Sequence, residues 1–240
     1  MKILDDLLST LKQDSIVKDV RQGSFQTAVV TRYCGLASTP QNLEYRHVTP
    51  QVIEAGTLIG KRALELTEMV YSLRPLEVAI GMATINSLLE VDERRCVDLN
   101  ARYLLAEKGK GRKVDLIGHF PFVAELRRAV TELWVIEQHP QEGDFPQDQA
   151  ENLVPQADVV GITGAAFTNH TIEHLLSLCR PEAYVIILGS TAPLSPILFN
   201  YGVDAISGTK VVDVEATLRC ISQGAIFRQI KGLRRLTMKK

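Results

Sequence analysis

Short β-branched runs separated by polar turns fill the first part of the chain, and helical periodicity follows them. Met1-Lys2-Ile3-Leu4-Asp5-Asp6-Leu7-Leu8 reads as the start of an amphipathic helix. Ile16 to Val20 and Gln26 to Tyr33 read as strands, and the turn Arg21-Gln22-Gly23-Ser24-Phe25 makes them a hairpin. Gly35-Leu36-Ala37 begins or extends a third strand, and the polar stretch Ser38 to Tyr45, with Pro40, reads as a loop. Ile53, Leu58, Ile59, Ala63, Leu66 and Val70 have helical spacing, which predicts one helix from Pro50 through about Ser72. Pro75 suits the first turn of a second helix, running through about Glu90.

The rhythm changes at Val114. Strands are predicted at 114–118, 132–137, 158–163, 183–188 and 203–207, with helices at 122–130, 169–179, 195–201 and 213–223. Wholly apolar strands alternating with helices imply a parallel sheet covered on both faces. The fold class is therefore α/β: a small α+β domain over 1–107, then a Rossmann-like parallel sheet domain over 114–230. Polar residues 108–113 form the expected linker, and 231–240 a solvated basic tail.

Composition excludes more than it identifies. An apolar fraction of 45% and a charged fraction of 23% are those of a soluble globular chain, with no run long enough to span a membrane. The net charge of -1 gives no general attraction to nucleic acid or acidic membranes. Cys34, Cys96, Cys179 and Cys220 lack paired spacing, which argues against a disulfide framework or a thiolate zinc site. With no signal-peptide pattern at the start, the expected location is the cytoplasm.

Two glycine turns at strand ends carry the candidate chemistry, because open α/β sheets bind ligands beyond the carboxyl ends of their strands. In the first, Gly118-His119-Phe120-Pro121-Phe122, no G-x-G-x-x-G is present, and phenylalanine and proline crowd the space a pyrophosphate needs. Glu137 ends the next strand, where an acid can accept from ribose hydroxyls. A nucleoside or another small polar ligand stays open, beside the plain reading of an exposed acid after a β–α turn. Thr163, Gly164 and Asn169 gather at a third strand end, with Asn169 as the expected N-cap and Thr171 sharing that role. Gly189-Ser190-Thr191-Ala192-Pro193 offers amides and hydroxyls to an anion. Ser190 is not in a G-x-S-x-G elbow, so no hydrolase triad is indicated.

Two further features need weighing. Asn86, in a nearly apolar helix, either bridges structurally or points into a cleft between the domains. His170-Thr171-Ile172-Glu173-His174 matches H-x-x-E-H, in which two histidines on one helix face bind a metal. Without a third ligand in sight, a partly exposed helix is the competing reading.

The stretches Gly35-Leu36-Ala37, Ile80 to Asn86, Gly118 to Pro121, Ile162-Thr163-Gly164 with Asn169 and Thr171, Gly189 to Pro193, and Gly202-Val203-Asp204 together resemble an uncharacterised prokaryotic family described as "putative heavy-metal chelation" proteins. The resemblance implies an enolase N-terminal-like domain joined to a Rossmann-like one, a site in the cleft between them, and a homodimer. This chain departs from the family's Gly-Pro-Ser-Thr-Pro at Gly189-Ser190-Thr191-Ala192-Pro193, which softens that turn.

The expected ligand-binding residues are Asn86, Gly118, His119, Phe120, Glu137, Thr163, Gly164, Asn169, Gly189, Ser190 and Thr191. His119 and Glu137 are the expected metal ligands, for a divalent or heavy-metal ion. The leading reading is heavy-metal chelation or small polar ligand binding between the domains, with neither nucleic acid nor membrane as partner. A nucleoside-cofactor-dependent transferase and a non-catalytic assembly or regulatory protein are the alternatives.

Overall fold

The computed structural model describes residues 1–41 and 49–240. After helix α1 (Lys2–Ser9), strands β1 (Asp19–Gln22), β2 (Gln26–Val30) and β3 (Cys34–Ser38) form an antiparallel sheet in that order. The predicted hairpin and third strand are both present. Residues 42–45 of the predicted loop lie outside the described residues.

The long helix expected over 50–72 does not form as one piece. Residues 51–60 make turns, because Gly56 and Gly60 adopt φ of 91° and 89°, values incompatible with a right-handed helix. Only α2 (Ala63–Thr67) and a single 3-10 turn remain helical. Helix α3 (Pro75–Leu88) opens at its proline as predicted and is apolar on nearly every side. Such a helix must be enclosed. One face lies on β2 and β3, and the other meets α2 and α7 (Ala165–Thr168).

The second sheet has eight strands: β4 (Cys96–Val97), β5 (Lys113–Ile117), β6 (Glu132–Glu137), β7 (Phe145–Pro146), β8 (Val159–Thr163), β9 (Tyr184–Leu188), β10 (Ala205–Val211) and β11 (Leu233–Lys239). Its spatial order is β4-β11-β10-β9-β8-β5-β6-β7. The six strands from β7 to β10 are parallel, and their order is the Rossmann order, reversing direction between β5 and β8. Helices α4 (Ala101–Gly109) and α5 (Val123–Ala129) cover one face, packing Leu104, Leu105, Val123 and Leu126 on Val114, Leu116 and Val135 of the strands. The other face packs on α6 (Ala150–Leu153) and α8 (Ile172–Leu178), and its core runs on without a break into that of α1 and α3.

Two expectations about chain organisation change. The basic tail is not a solvated end: β11 pairs antiparallel with β10 over seven positions, burying Leu236, Thr237 and Met238. Leu236 and Met238 share one face of the strand and Thr237 lies on the other, so the strand is buried on both faces there while Arg235 and Lys239 stay exposed. Residues 108–113 are the end of α4, a tight turn at Gly111 and the first residue of β5. Helix α9 (Val214–Ser222) returns to cover β1 and β2, so both sheets share one continuous body of contacts.

Candidate functional site

Beyond the carboxyl ends of β5, β8, β9 and β10 lies a cavity of about 650 Å³. This is where the sheet's reversal leaves an open crevice. Gln26 and Ser38 of the small sheet close one side, and Leu99 to Arg102, entering α4, close another. The floor consists of Thr163, Leu188 to Ser190, and Ser207 to Thr209. Phe120 and Phe122 form a flat apolar wall, their rings stacked at 5.3 Å and 21°.

Four of the residues predicted from sequence line this cavity: Phe120, Thr163, Gly189 and Ser190. The others stand behind or beside it. Gly118 and Gly189 take φ of 103° and 117°, as strand-end turns require. Their amides are not free: Gly118 donates to the Ile136 carbonyl at 2.8 Å, Gly164 to Leu188 at 2.7 Å and Gly189 to Ser207 at 3.1 Å. The expected anion cradle of open amides is thus largely engaged by neighbouring strands. Gly164 has a packing role, since a Cβ there would meet the Ala192 nitrogen at 2.5 Å.

Asn86 and Thr191 prove to be bridges between the sheets. Asn86 Nδ2 donates to the carbonyls of Leu36 at 2.8 Å and Thr191 at 3.1 Å. Thr191 Oγ1 accepts from the Ser38 amide at 2.8 Å. These bonds fasten the second glycine turn to β3. Asn169 is exposed and does not cap the helix, which starts at Ile172 with Thr171 at the N-cap position. Its Oδ1 closes a local turn instead, accepting from the Thr171 amide and hydroxyl at 3.2 Å and 2.7 Å.

Glu137 and His119 meet, though not as two side-chain ligands. Glu137 Oε2 accepts from the His119 backbone amide and Oε1 from that of Gln138, both at 2.8 Å. The His119 ring bonds through Nδ1 to Asp144 Oδ2 at 2.7 Å, and that carboxylate is almost fully buried. Asp144 was missed in the sequence because it arrives on the irregular connection between β6 and β7. The H-x-x-E-H match separates for a simple reason: His170 precedes α8 with a φ of 61°, so the two histidines share no helix face. His170 Nε2 bonds the Val70 carbonyl at 2.7 Å, His174 pairs with Glu151 at 3.0 Å, and Glu173 accepts from the Ile3 amide at 2.6 Å.

A resident heavy metal does not fit these donors. Among the described residues no group of three or more His, Cys, Asp or Glu side chains comes together. Burial pushes the Cys34 and Cys179 thiols up to about 12 and also raises Cys96, which disfavours the thiolate form that a soft metal ion binds.

The fold defines a Rossmann-like α/β protein whose cavity is closed on one side by an antiparallel α+β unit. The chain belongs to the DUF364 family, described as "Putative heavy-metal chelation", whose pattern matches residues 101–240. Residues 4–89 match DUF4213, which carries the same description. A DUF364 protein of unknown function from Desulfitobacterium hafniense is 27% identical, with a TM-score of 0.86 over 100% of this chain and 97% of that one. Another from Pyrococcus horikoshii, 19% identical, shares the fold with a TM-score of 0.82 over 100% of this chain and 98% of its own. An uncharacterized protein of Methanocaldococcus jannaschii is 25% identical over 181 residues, covering 72% of this chain and 70% of its own. Among the described residues no helix is long and apolar enough to cross a membrane.

Proposed function

We propose that the chain binds a small polar ligand in the cavity between its two sheets. The cavity itself carries this reading. It stands at the topological switch point, has the volume of a small-molecule site, and combines an aromatic wall with the hydroxyls of Thr163, Ser190 and Thr209. Of the two functions implied by the family description and the sequence, the donors around it support an organic ligand over a bare cation. Among the described residues Glu125 is the single carboxylate on the wall, and Arg102 pairs with it at 3.4 Å.

A thermal-shift panel of millimolar carboxylic acids, sugar phosphates and nucleosides tests the reading. At least one class is expected to raise the melting temperature, since ligand at a hundred times Kd adds about 2.7 kcal/mol. Filling the cavity by Thr209→Trp is expected to remove that rise. An equal rise in the variant would place the ligand elsewhere and overturn the proposal.

The His119–Glu137 pair gives a separate prediction. Both Glu137 oxygens already accept backbone amides, so His119→Ala and Glu137→Ala are expected to titrate Zn²⁺ calorimetrically as the parent does. A loss of tenfold or more in either variant would restore the pair as metal ligands.

A further inference from the structure

Given the cavity as the binding site, on which this ligand assignment rests, its charge and its unanswered hydrogen-bonding group narrow the ligand further. The chain carries a net charge of -1, yet the cavity wall is basic. Once Arg102 is offset by Glu125, Arg228 and Arg235 remain on the wall, and among the described residues neither forms an ion pair. The Arg235 guanidinium stands over the Phe227 ring at 5.6 Å, an arrangement that orients a planar cation without neutralising it. Two unpaired guanidinium groups at the rim of an apolar pocket attract a carboxylate or phosphate, for which their geometry is suited.

A second observation points inward. Gln26 is only 5% exposed, lines the cavity, and its Oε1 is buried without a hydrogen-bond partner among the described residues. A buried amide oxygen left unpaired costs its full desolvation without return, which makes it an unusual group to keep facing a cavity. The two ends of the Gln26 amide exchange by rotation about its terminal torsion, so it can present a donor and an acceptor to one partner. The complement of a primary amide is a cis-amide edge, with an N–H beside a carbonyl.

We propose that the ligand is a planar ring compound with such an amide edge and an anionic substituent. Gln26 pairs with the edge, the Phe120–Phe122 wall faces the ring, and Arg228 and Arg235 hold the anion. Neither the arginines nor Gln26 suffice alone: the first supply charge and the second supplies hydrogen-bond discrimination.

Three probes separate these contributions by calorimetry on the full chain. Orotate has the ring, the amide edge and a carboxylate; uracil lacks the anion; benzoate lacks the edge. Orotate is expected to bind at least tenfold more tightly than either. Arg235→Met is expected to reduce orotate to the uracil level, and Gln26→Met to reduce it to the benzoate level. Gln26→Met removes an unpaired polar group with little change of volume, so its melting temperature is expected to be no lower than the parent's. Equal affinity for the three probes, or no binding of orotate at millimolar concentration, overturns the proposal. Orotate binding that Thr209→Trp abolishes but Arg235→Met and Gln26→Met leave intact refutes this ligand class while keeping the cavity as the site. Binding unaffected by Thr209→Trp refutes both.

Discussion

Asp115→Asn is expected to stabilise the protein strongly at pH 8 and hardly at all near pH 4. Asp115 lies in the middle of β5, fully buried, with Trp134 and Val160 as its neighbours across the sheet. Neither carboxylate oxygen has a hydrogen-bond partner among the described residues. Burial alone raises its pKa from 3.8 to about 7. Between about pH 4 and about pH 7 the native chain therefore holds a proton that the unfolded chain has released. Stability falls as pH rises through that window and levels off above it. The full difference is about 4 kcal/mol, at about 1.4 kcal/mol per pH unit, and the asparagine variant avoids it. Urea unfolding at the two pH values measures this directly. A variant no more stable than its parent at pH 8 would mean that Asp115 is solvated or paired in solution.

Gly35→Val is expected to destabilise by about 3 kcal/mol or more, at the upper end of what overpacking costs. A Cβ at Gly35 would stand 2.1 Å from the Ala83 carbonyl oxygen and 2.3 Å from the Ser87 nitrogen, both backbone atoms of α3. No side-chain rotation can relieve that, so the helix must move away from β3. Asn86 moves with it and loses its hold on Leu36 and Thr191, loosening the turn that carries Ser190 into the cavity. Ligand binding should therefore weaken together with stability. Gly143→Ala is the control: it has φ of 85° but nothing within 4 Å, so only about 1 kcal/mol of backbone strain is expected. Equal urea midpoints for the two variants would refute the close-packing argument.

These effects bear on how the sequence could be read. The strands of the Rossmann-like sheet were legible because each is a short, mostly apolar run, and β5, β8 and β9 are followed closely by a glycine. The predicted 132–137 and the observed Glu132–Glu137 coincide. The long helix over 50–72 failed because apolar spacing was counted through two glycines whose φ values reverse the chain. The basic tail reads as solvated because Lys and Arg outweigh the short run Leu236-Thr237-Met238, which only pairing with β10 buries. In the candidate site, Phe120, Thr163, Gly189 and Ser190 were reachable from their strand ends. Gln26, Arg228 and Arg235 were not, since they come from a hairpin, a 3-10 turn and the last strand, with no shared motif.

By itself, the sequence determined the alternation of elements and the places where strands end. Hydrophobic period and glycine placement act locally, within a few residues. Only the tertiary structure decided that β11 enters the sheet between β10 and β4, that Asn86 and Thr191 join two sheets, and which strand-end groups face a common cavity. Those outcomes depend on contacts between residues far apart in the chain, such as Asn86 with Thr191 and Thr237 with Val97, and such contacts exist only once the chain has packed.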